Sequence, residues 1–432
     1  MERKIVGKLR LWKDSPNRLP LILQGARQVG KTYILLSFGK AHYKNVAYFS
    51  MEESREIPEI FEADLDPERI IRNLAIKSGQ TILPGDTLVI FDEIQACEQA
   101  LTSLKYFAER APQYHVVAAG SLLGVAMKRE RFSFPVGNVD MLDLYPMDFE
   151  EFLWAVGQED LCGIIREAHE GFAPLPLHDT AMDWYRTYLV VGGMPRVVQE
   201  YADKRDFDFA CSIQRTLNDS YVADMAKYAT PQETTRIMAA WSSVPAQLAK
   251  ENRKFQYKVI RSGARAKDYE ISLDWLKAAG MINKCVHVTE GKLPLSAYAE
   301  NDAFKVYMVD TGLLCSKLDI PPGAVLHAPH SFDGFKGALA ENYICQALVA
   351  CGIRPYYWTS PGKAEVDFVF QDRQGNVIPL EAKSADNVRS KSLRSYRDIY
   401  KPAYSIRVSA RNFGFEGGIK SVPLYAVFCL SV

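Results

Sequence analysis

The stretch Gly25-Ala26-Arg27-Gln28-Val29-Gly30-Lys31-Thr32 constrains this chain more than any other. It has the spacing G-x-x-x-x-G-K-[ST]. Leu19-Pro20-Leu21-Ile22-Leu23 before it has the pattern of a short buried strand, and Tyr33 to Gly39 after it opens a helix. Strand, glycine-rich turn and helix form the context in which such a loop wraps phosphate. The glycines let backbone N–H groups curl around phosphate oxygens, and the helix N-terminus adds partial positive charge. Lys31 is positioned to reach the β- and γ-phosphates, and Thr32 Oγ to ligate magnesium. The expected ligand is ATP with magnesium.

At 432 residues the chain is too long for one hydrophobic core. Its 52 Lys and Arg balance 52 Asp and Glu, so attraction to DNA, RNA or a membrane would need a local patch. The eight cysteines are scattered, with no C-x-x-C. That suits a reducing cytosol and argues against structural zinc. No apolar run serves as a signal peptide or spans a bilayer. The expectation is a cytoplasmic protein without membrane contact.

After the loop, Val46–Ser50 reads as a strand and Pro67 to Ser78 as a helix. Leu88-Val89-Ile90-Phe91-Asp92-Glu93 is an apolar strand ending in two acids. Continuous apolar runs mark parallel strands buried on both faces, and ligands sit beyond their carboxyl ends. Asp92 is the candidate to hold magnesium, and Glu93 the candidate to orient the attacking water. The next strand, His115–Ala119, runs into Gly120-Ser121. Ser121 is either a γ-phosphate sensor or a turn residue and helix cap. The basic segment Lys128-Arg129-Glu130-Arg131 either supplies an arginine to an ATP site or is a solvated face. One strand separates the loop strand from the acidic strand. That order resembles the P-loop ATPases that carry a catalytic glutamate, the AAA-type among them.

Further on, Asp148 and Glu151 have capping-box spacing. Residues 163–180 have loop composition, and Gly192-Gly193-Met194-Pro195 marks a tight connection. The chain resembles a bacterial and archaeal family that joins an AAA-type ATPase module to a domain of unknown function. The matching pieces are Gly25–Thr32, Ile90–Gln95, Ala119–Ser121, Leu144–Phe152, Gly192–Pro195 and the C-terminal acidic motifs described next. The resemblance implies ATP binding and hydrolysis, a winged helix after the ATPase, and then a nuclease-like domain. Independently, 234–243, 245–254 and 268–278 read as three helices, the last with Ile271, Leu273, Trp275, Leu276 and Ala279 on a buried face. Strands at 281–288 and 304–309 follow, which is the winged-helix order. Between 250 and 270, seven Lys and Arg face three acids, enough to contact phosphates or simply to keep a surface wet.

Near the C-terminus, Glu365–Phe370 and Val377–Lys383 alternate around a three-residue loop with Gly375 at its left-handed position. Pairing Asp372 with Asn376 sets Asp367 opposite Glu381 and Glu365 opposite Lys383. Like charges directly opposite destabilise a sheet, and a bound cation would reverse that. Lys383 shares the face. Upstream, 335–351 is helical, and Glu341 falls on the apolar stripe with Ile344, Cys345 and Leu348. Glu341, Asp367, Glu381 and Lys383 resemble the catalytic set of restriction-endonuclease-like nucleases, with Val366-Asp367 in place of Pro-Asp. The resemblance makes Glu341, Asp367 and Glu381 metal ligands, and Asp367, Glu381 and Lys383 catalytic. A salt-bridged hairpin in a binding fold is the plainer alternative. Lys391, Arg394 and Arg397 have helical spacing and could face a phosphate backbone.

The expected architecture is α/β. It begins with a doubly wound parallel AAA-type sheet over 1–160, followed by a helical lid or linker over 161–230. A winged-helix domain over 231–320 and a restriction-endonuclease-like domain over 321–432 complete it. The expected function is an ATPase coupled to a nuclease-like domain acting on nucleic acid. The alternative is an ATP-dependent switch whose last domain binds a partner without cutting. DNA or RNA, a second copy of the chain and a partner protein are the candidate partners.

Overall fold

The computed structural model describes all residues except 54, 122, 124–134, 136, 251–253, 328–331, 363, 384–390 and 431–432. The basic segment at 128–131 lies outside the described residues. The chain divides into two compact units. One comprises Glu2–Tyr145 with Ala278–Gly280, and the other Pro146–Lys277 and Met281–Val432 together with Met1.

The first unit begins with α1 (Ile5–Asp14), β1 (Leu21–Gln24), α2 (Lys31–His42) and β2 (Asn45–Ser50). Next come α3 (Glu56–Glu62), α4 (Pro67–Ser78), β3 (Thr87–Asp92), α5 (Glu98–Arg110), β4 (His115–Gly120) and β5 (Asp140–Asp143). The strands form one parallel sheet in the order β2-β3-β4-β1-β5. β3 and β4 are buried along their whole length, as central strands of a sheet covered on both faces must be. Local chemistry agrees with the global arrangement in α4. Asp66 accepts the Arg69 N–H at 3.0 Å, Pro67 opens the helix and Gly79 closes it with φ +63°. One face of the sheet is filled by Phe49, Phe61, Phe91 and Phe107, with Phe61 and Phe91 edge-on at 5.4 Å.

The second unit opens with α6 (Phe149–Ala155), α7 (Glu159–Gly171), α8 (His178–Val191), α9 (Pro195–Lys204), α10 (Phe207–Tyr228), α11 (Pro231–Leu248) and α12 (Ala266–Ala278). The Asp148–Glu151 capping box is formed. Residues 163–171, expected as loop, belong to α7. Its Leu161, Cys162, Ile165 and Ala168 are buried, so tertiary packing outweighs the glycine and histidine content. Where two helices were expected, over 234–243 and 245–254, a single helix runs through both to Leu248. Pro245 sits inside α11, whose terminal turn is still closed by Ala249 N–H to Pro245 O at 3.1 Å. Ile271, expected in the core, is 74% exposed, and Tyr269 and Ser272 take the buried face with Leu273, Trp275 and Leu276.

β6 (Ile282–Val288), β7 (Ala299–Met308), α13 (Thr311–Lys317), α14 (Pro322–Leu326), α15 (Asp333–Ala350), β8 (Tyr356–Thr359), β9 (Glu365–Gln371) and β10 (Val377–Ala382) follow. α16 (Lys391–Tyr400), β11 (Ser405–Ser409), β12 (Gly414–Glu416) and β13 (Ile419–Pro423) complete the described elements. The strands form one mixed sheet in the order β12-β13-β11-β10-β9-β8-β6-β7. β6 pairs in parallel with β8 and antiparallel with β7. The strands expected as a winged-helix hairpin are therefore part of the C-terminal sheet, and 231–320 shares that sheet with 321–432.

The Gly-Gly-Met-Pro connection is a clamp. Gly193 N–H donates to Asp310 Oδ2 at 2.6 Å, and Met147 N–H donates to Gly193 O at 2.7 Å. A Cβ on Gly193 would lie 2.0 Å from Met147 O. Gly192 has φ +72°, and a Cβ there would lie 2.3 Å from Asp310 Oδ1. Only glycine fits either position. Asp310 also caps α13 through Leu313 N–H at 2.9 Å, and burial raises its carboxyl to about 6.

Candidate nucleotide site and carboxylate cluster

The loop between β1 and α2 has the backbone its glycines require. Gly30 is left-handed at φ +93°, and so is Gln28 at +64°. A Cβ on Gly25 would lie 2.1 Å from Leu144 O, so the loop is pressed against the chain leaving β5. Ala26 and Val29 are buried, while Arg27 and Thr32 are half-buried and Gln28 is exposed. Lys31 is buried, and its Nζ donates to Gly25 O at 3.0 Å and Ala26 O at 2.8 Å. Burial lowers its ammonium to about 8, opposed by the nearby carboxylates of Glu93 and Asp92.

The acidic strand meets this loop. Thr32 Oγ1 donates to Asp92 Oδ2 at 2.7 Å, and Glu93 N–H donates to Asp92 Oδ1 at 2.9 Å. The donor set suits a hard cation: a hydroxyl and a carboxylate, from different motifs, in contact. Glu93 has φ +48°, a left-handed conformation that costs about 1–3 kcal/mol in a non-glycine residue and clusters at functional sites. Its carboxylate accepts from Gln95 Nε2. A Cβ on Gly120 would lie 2.6 Å from Gln95 Oε1 and 2.7 Å from Leu123 Cγ, so a side chain there would have to displace both. β4 runs between β1 and β3, which brings buried Ser121, at its carboxyl end, between the loop strand and the acidic strand.

Two residues of this site escape sequence reasoning. Tyr48, on β2, donates to Asp92 Oδ2 at 2.9 Å, and burial together with Asp92 raises its phenol. Arg3 is buried ahead of α1 and donates to Val29 O at 3.2 Å and Tyr145 O at 2.7 Å, tying the loop to the end of the unit. Neither has a spacing signal. A basic residue 22 positions before the motif looks like any surface charge.

In the second unit the β9–β10 hairpin has the expected register. Asp372 N–H donates to Asn376 O at 3.1 Å, Gly375 has φ +84°, and the ladder runs Gln371–Val377 to Phe368–Leu380. Asp367 and Glu381 stand one step further on. There the ladder gives way, and Asp367 Oδ2 accepts the Ala382 N–H at 2.8 Å. Glu381 is buried and pairs with Lys383 at 2.7 Å. Glu365 does not pair with Lys383 but with Lys305, at 2.5 Å.

Lys305 carries no signal in the sequence. It lies mid-strand in β7, is 1% exposed, and also stands 3.8 Å from Glu341 Oε2. Glu341 points inward as its stripe predicts and accepts from Tyr307 OH at 3.2 Å. A lysine ammonium therefore lies between Glu341, one of the three expected metal ligands, and Glu365, which was not among them. Among the described residues no three His, Cys, Asp or Glu come together to hold a metal ion. The expected trio of Glu341, Asp367 and Glu381 is split between Lys305, a backbone amide and Lys383.

Residues 17–153 match the family model described as an AAA domain. This module is an AAA-type ATPase. Residues 182–323 and 336–427 match two models described as domains of unknown function, DUF8612 and DUF4143. No curated protein matches the chain. Among solved structures, the Walker-type ATPase of Pyrococcus abyssi is 15% identical, with 73% of this chain and 95% of that one covered and a TM-score of 0.46. The Aeropyrum pernix ORC1 protein, solved in complex with DNA, is 12% identical over 76% of this chain and 95% of that one, at 0.32. The Thermotoga maritima RuvB Holliday junction branch migration motor is 14% identical over 68% and 91%, at 0.32. Superposition over the whole chain is poor in each case, and these likenesses say nothing of what this chain binds. Among the described residues no helix is long and apolar enough to cross a membrane.

Proposed function

We propose that the first unit binds and hydrolyses ATP at Gly25–Thr32, Asp92 and Glu93, and that its nucleotide state governs a second unit acting on nucleic acid. The observation that carries the first half is the 2.7 Å bond from Thr32 to Asp92 beside buried Lys31. Magnesium would be held by Thr32 and Asp92 and would neutralise charge on the phosphates. Lys31 exchanges the Gly25 and Ala26 carbonyls for β- and γ-phosphate oxygens. Glu93 orients the attacking water and takes its proton, and Ser121 reaches the γ-phosphate. The cytosol is the compartment that fits the free cysteines.

The second half is supported by the hairpin. Asp367, Glu381 and Lys383 have the nuclease-like spacing, and the β9–β10 ladder keeps the expected register as far as Phe368–Leu380, one step short of the two acids. A second reading, an ATP-dependent switch whose second unit binds without cutting, is favoured by Lys305. Its ammonium already neutralises Glu341 and Glu365. Cleavage of single- and double-stranded DNA and RNA with magnesium or manganese, with and without ATP, separates the two. On the nuclease reading Asp367→Ala abolishes cleavage, and Lys31→Ala shows whether ATP gates it. A wild type that hydrolyses ATP and cuts nothing overturns the nuclease reading in favour of the switch.

A further inference from the structure

α16 buries Leu393 and Tyr396, the latter edge-on to Trp358 at 5.1 Å, and turns its charged side outward. Between that side and the β11–β13 end of the sheet runs an open groove of about 1350 Å³. Lys391, Arg394, Arg397, Lys401 and Arg407 line it, against Asp398 and Glu416. Among the described residues none of the five cations forms an ion pair. Arg397 is steadied at the rim by donating to Gly417 O at 2.6 Å. Arg407 comes from β11, and its Nε is shut off from solvent without a hydrogen-bond partner. The parallel β10–β11 register sets Arg407 directly beside Glu381. In a chain whose charges cancel overall, a groove lined by five cations against two acids, with Arg407 the register neighbour of Glu381, is a local field with a direction.

We propose that this groove is a track for the sugar-phosphate backbone of a nucleic-acid strand and delivers it to the Asp367–Glu381 end of the hairpin. The proposal rests on the nucleic-acid reading above and names the surface that reading requires. Five cations spread along a concave wall match a polyanion with repeating phosphates. A phosphopeptide would need only one or two of them, and a flat lipid surface would not reach those on the groove floor. Arg394 and Lys391 contact phosphates from the helix, while Arg407 holds the phosphate nearest Glu381.

The test is binding of fluorescent single- and double-stranded oligonucleotides to the full chain, followed by anisotropy across a salt titration. Each neutralised duplex phosphate contributes about −0.9 to the slope of log K against log salt. Four to five contacts give a slope of about −4, a loss of roughly two hundredfold between 50 and 200 mM salt. Arg394→Gln and Arg407→Gln should each weaken binding several-fold and reduce the slope by about 1, with Arg394→Lys restoring it. Arg394 is exposed on its helix, so its variants test the proposal even where Arg407→Gln folds poorly. Arg261→Gln and Arg265→Gln, in the other basic segment, should leave the slope unchanged. A wild-type slope untouched by Arg394→Gln but lowered by Arg261→Gln overturns the groove while leaving the nucleic-acid reading intact. No oligonucleotide binding at all, or binding to anionic vesicles only, overturns both.

Discussion

Replacing Asp310 with alanine should destabilise the chain by an amount that shrinks as pH rises. Asp310 is fully buried, accepts N–H groups from Gly193 at 2.6 Å and Leu313 at 2.9 Å, and has its carboxyl raised by burial from 3.8 to about 6. Removing it leaves two buried donors unpaired, at about 1–3 kcal/mol each. Against this stands the cost of ionising a buried carboxyl, about 1.36 kcal/mol per unit of raised pKa, or about 3 kcal/mol at full ionisation. A raised folded-state pKa means that the native state holds its proton more tightly than the unfolded chain. The associated stability is complete below 3.8 and is lost as pH climbs through about 6. Between pH 5 and 7.5 the wild type should lose about 1.5 kcal/mol that the alanine variant does not. Urea unfolding of both proteins at the two pH values measures the difference. A penalty equal at both, or larger at pH 7.5, refutes the reasoning.

Three further outcomes follow from the geometry. Arg3→Ala removes charge-assisted bonds to Val29 and Tyr145, worth about 1.5–3 kcal/mol each, and calorimetry should show ATP affinity falling about tenfold. Gly25→Ala drives a Cβ to 2.1 Å from Leu144 O and should abolish ATP binding while leaving the second unit's cooperative unfolding intact. Lys305→Met strands buried Glu341 beside half-buried Glu365, and the urea midpoint should drop by the equivalent of about 3–5 kcal/mol.

What the sequence made legible was local. The loop around Gly30 and the hairpin around Gly375 each depend on a left-handed glycine at a fixed offset, so spacing alone determined the turn and the register. The buried runs of β3 and β4 announced central parallel strands because both faces are covered. Pairings between distant segments were not legible. Nothing near Ile282–Val288 says that it will pair with Tyr356–Thr359, so the strands resembled a separate wing. Lys305 sits in Phe304-Lys305-Val306 with no pattern to mark its burial, because its partners Glu341 and Glu365 come from other elements. α7 was hidden by Gly163, Gly171 and His169, whose poor propensity is outweighed by the four residues it buries.

The most direct test of the account is to measure ATP binding and ATP turnover separately in Glu93→Gln. The amide keeps the size and the backbone of the site but cannot take a proton from water. The account predicts that Glu93→Gln binds MgATP as the wild type does and turns it over at least about a hundredfold more slowly, while Lys31→Ala loses binding. Wild-type turnover in Glu93→Gln would contradict it.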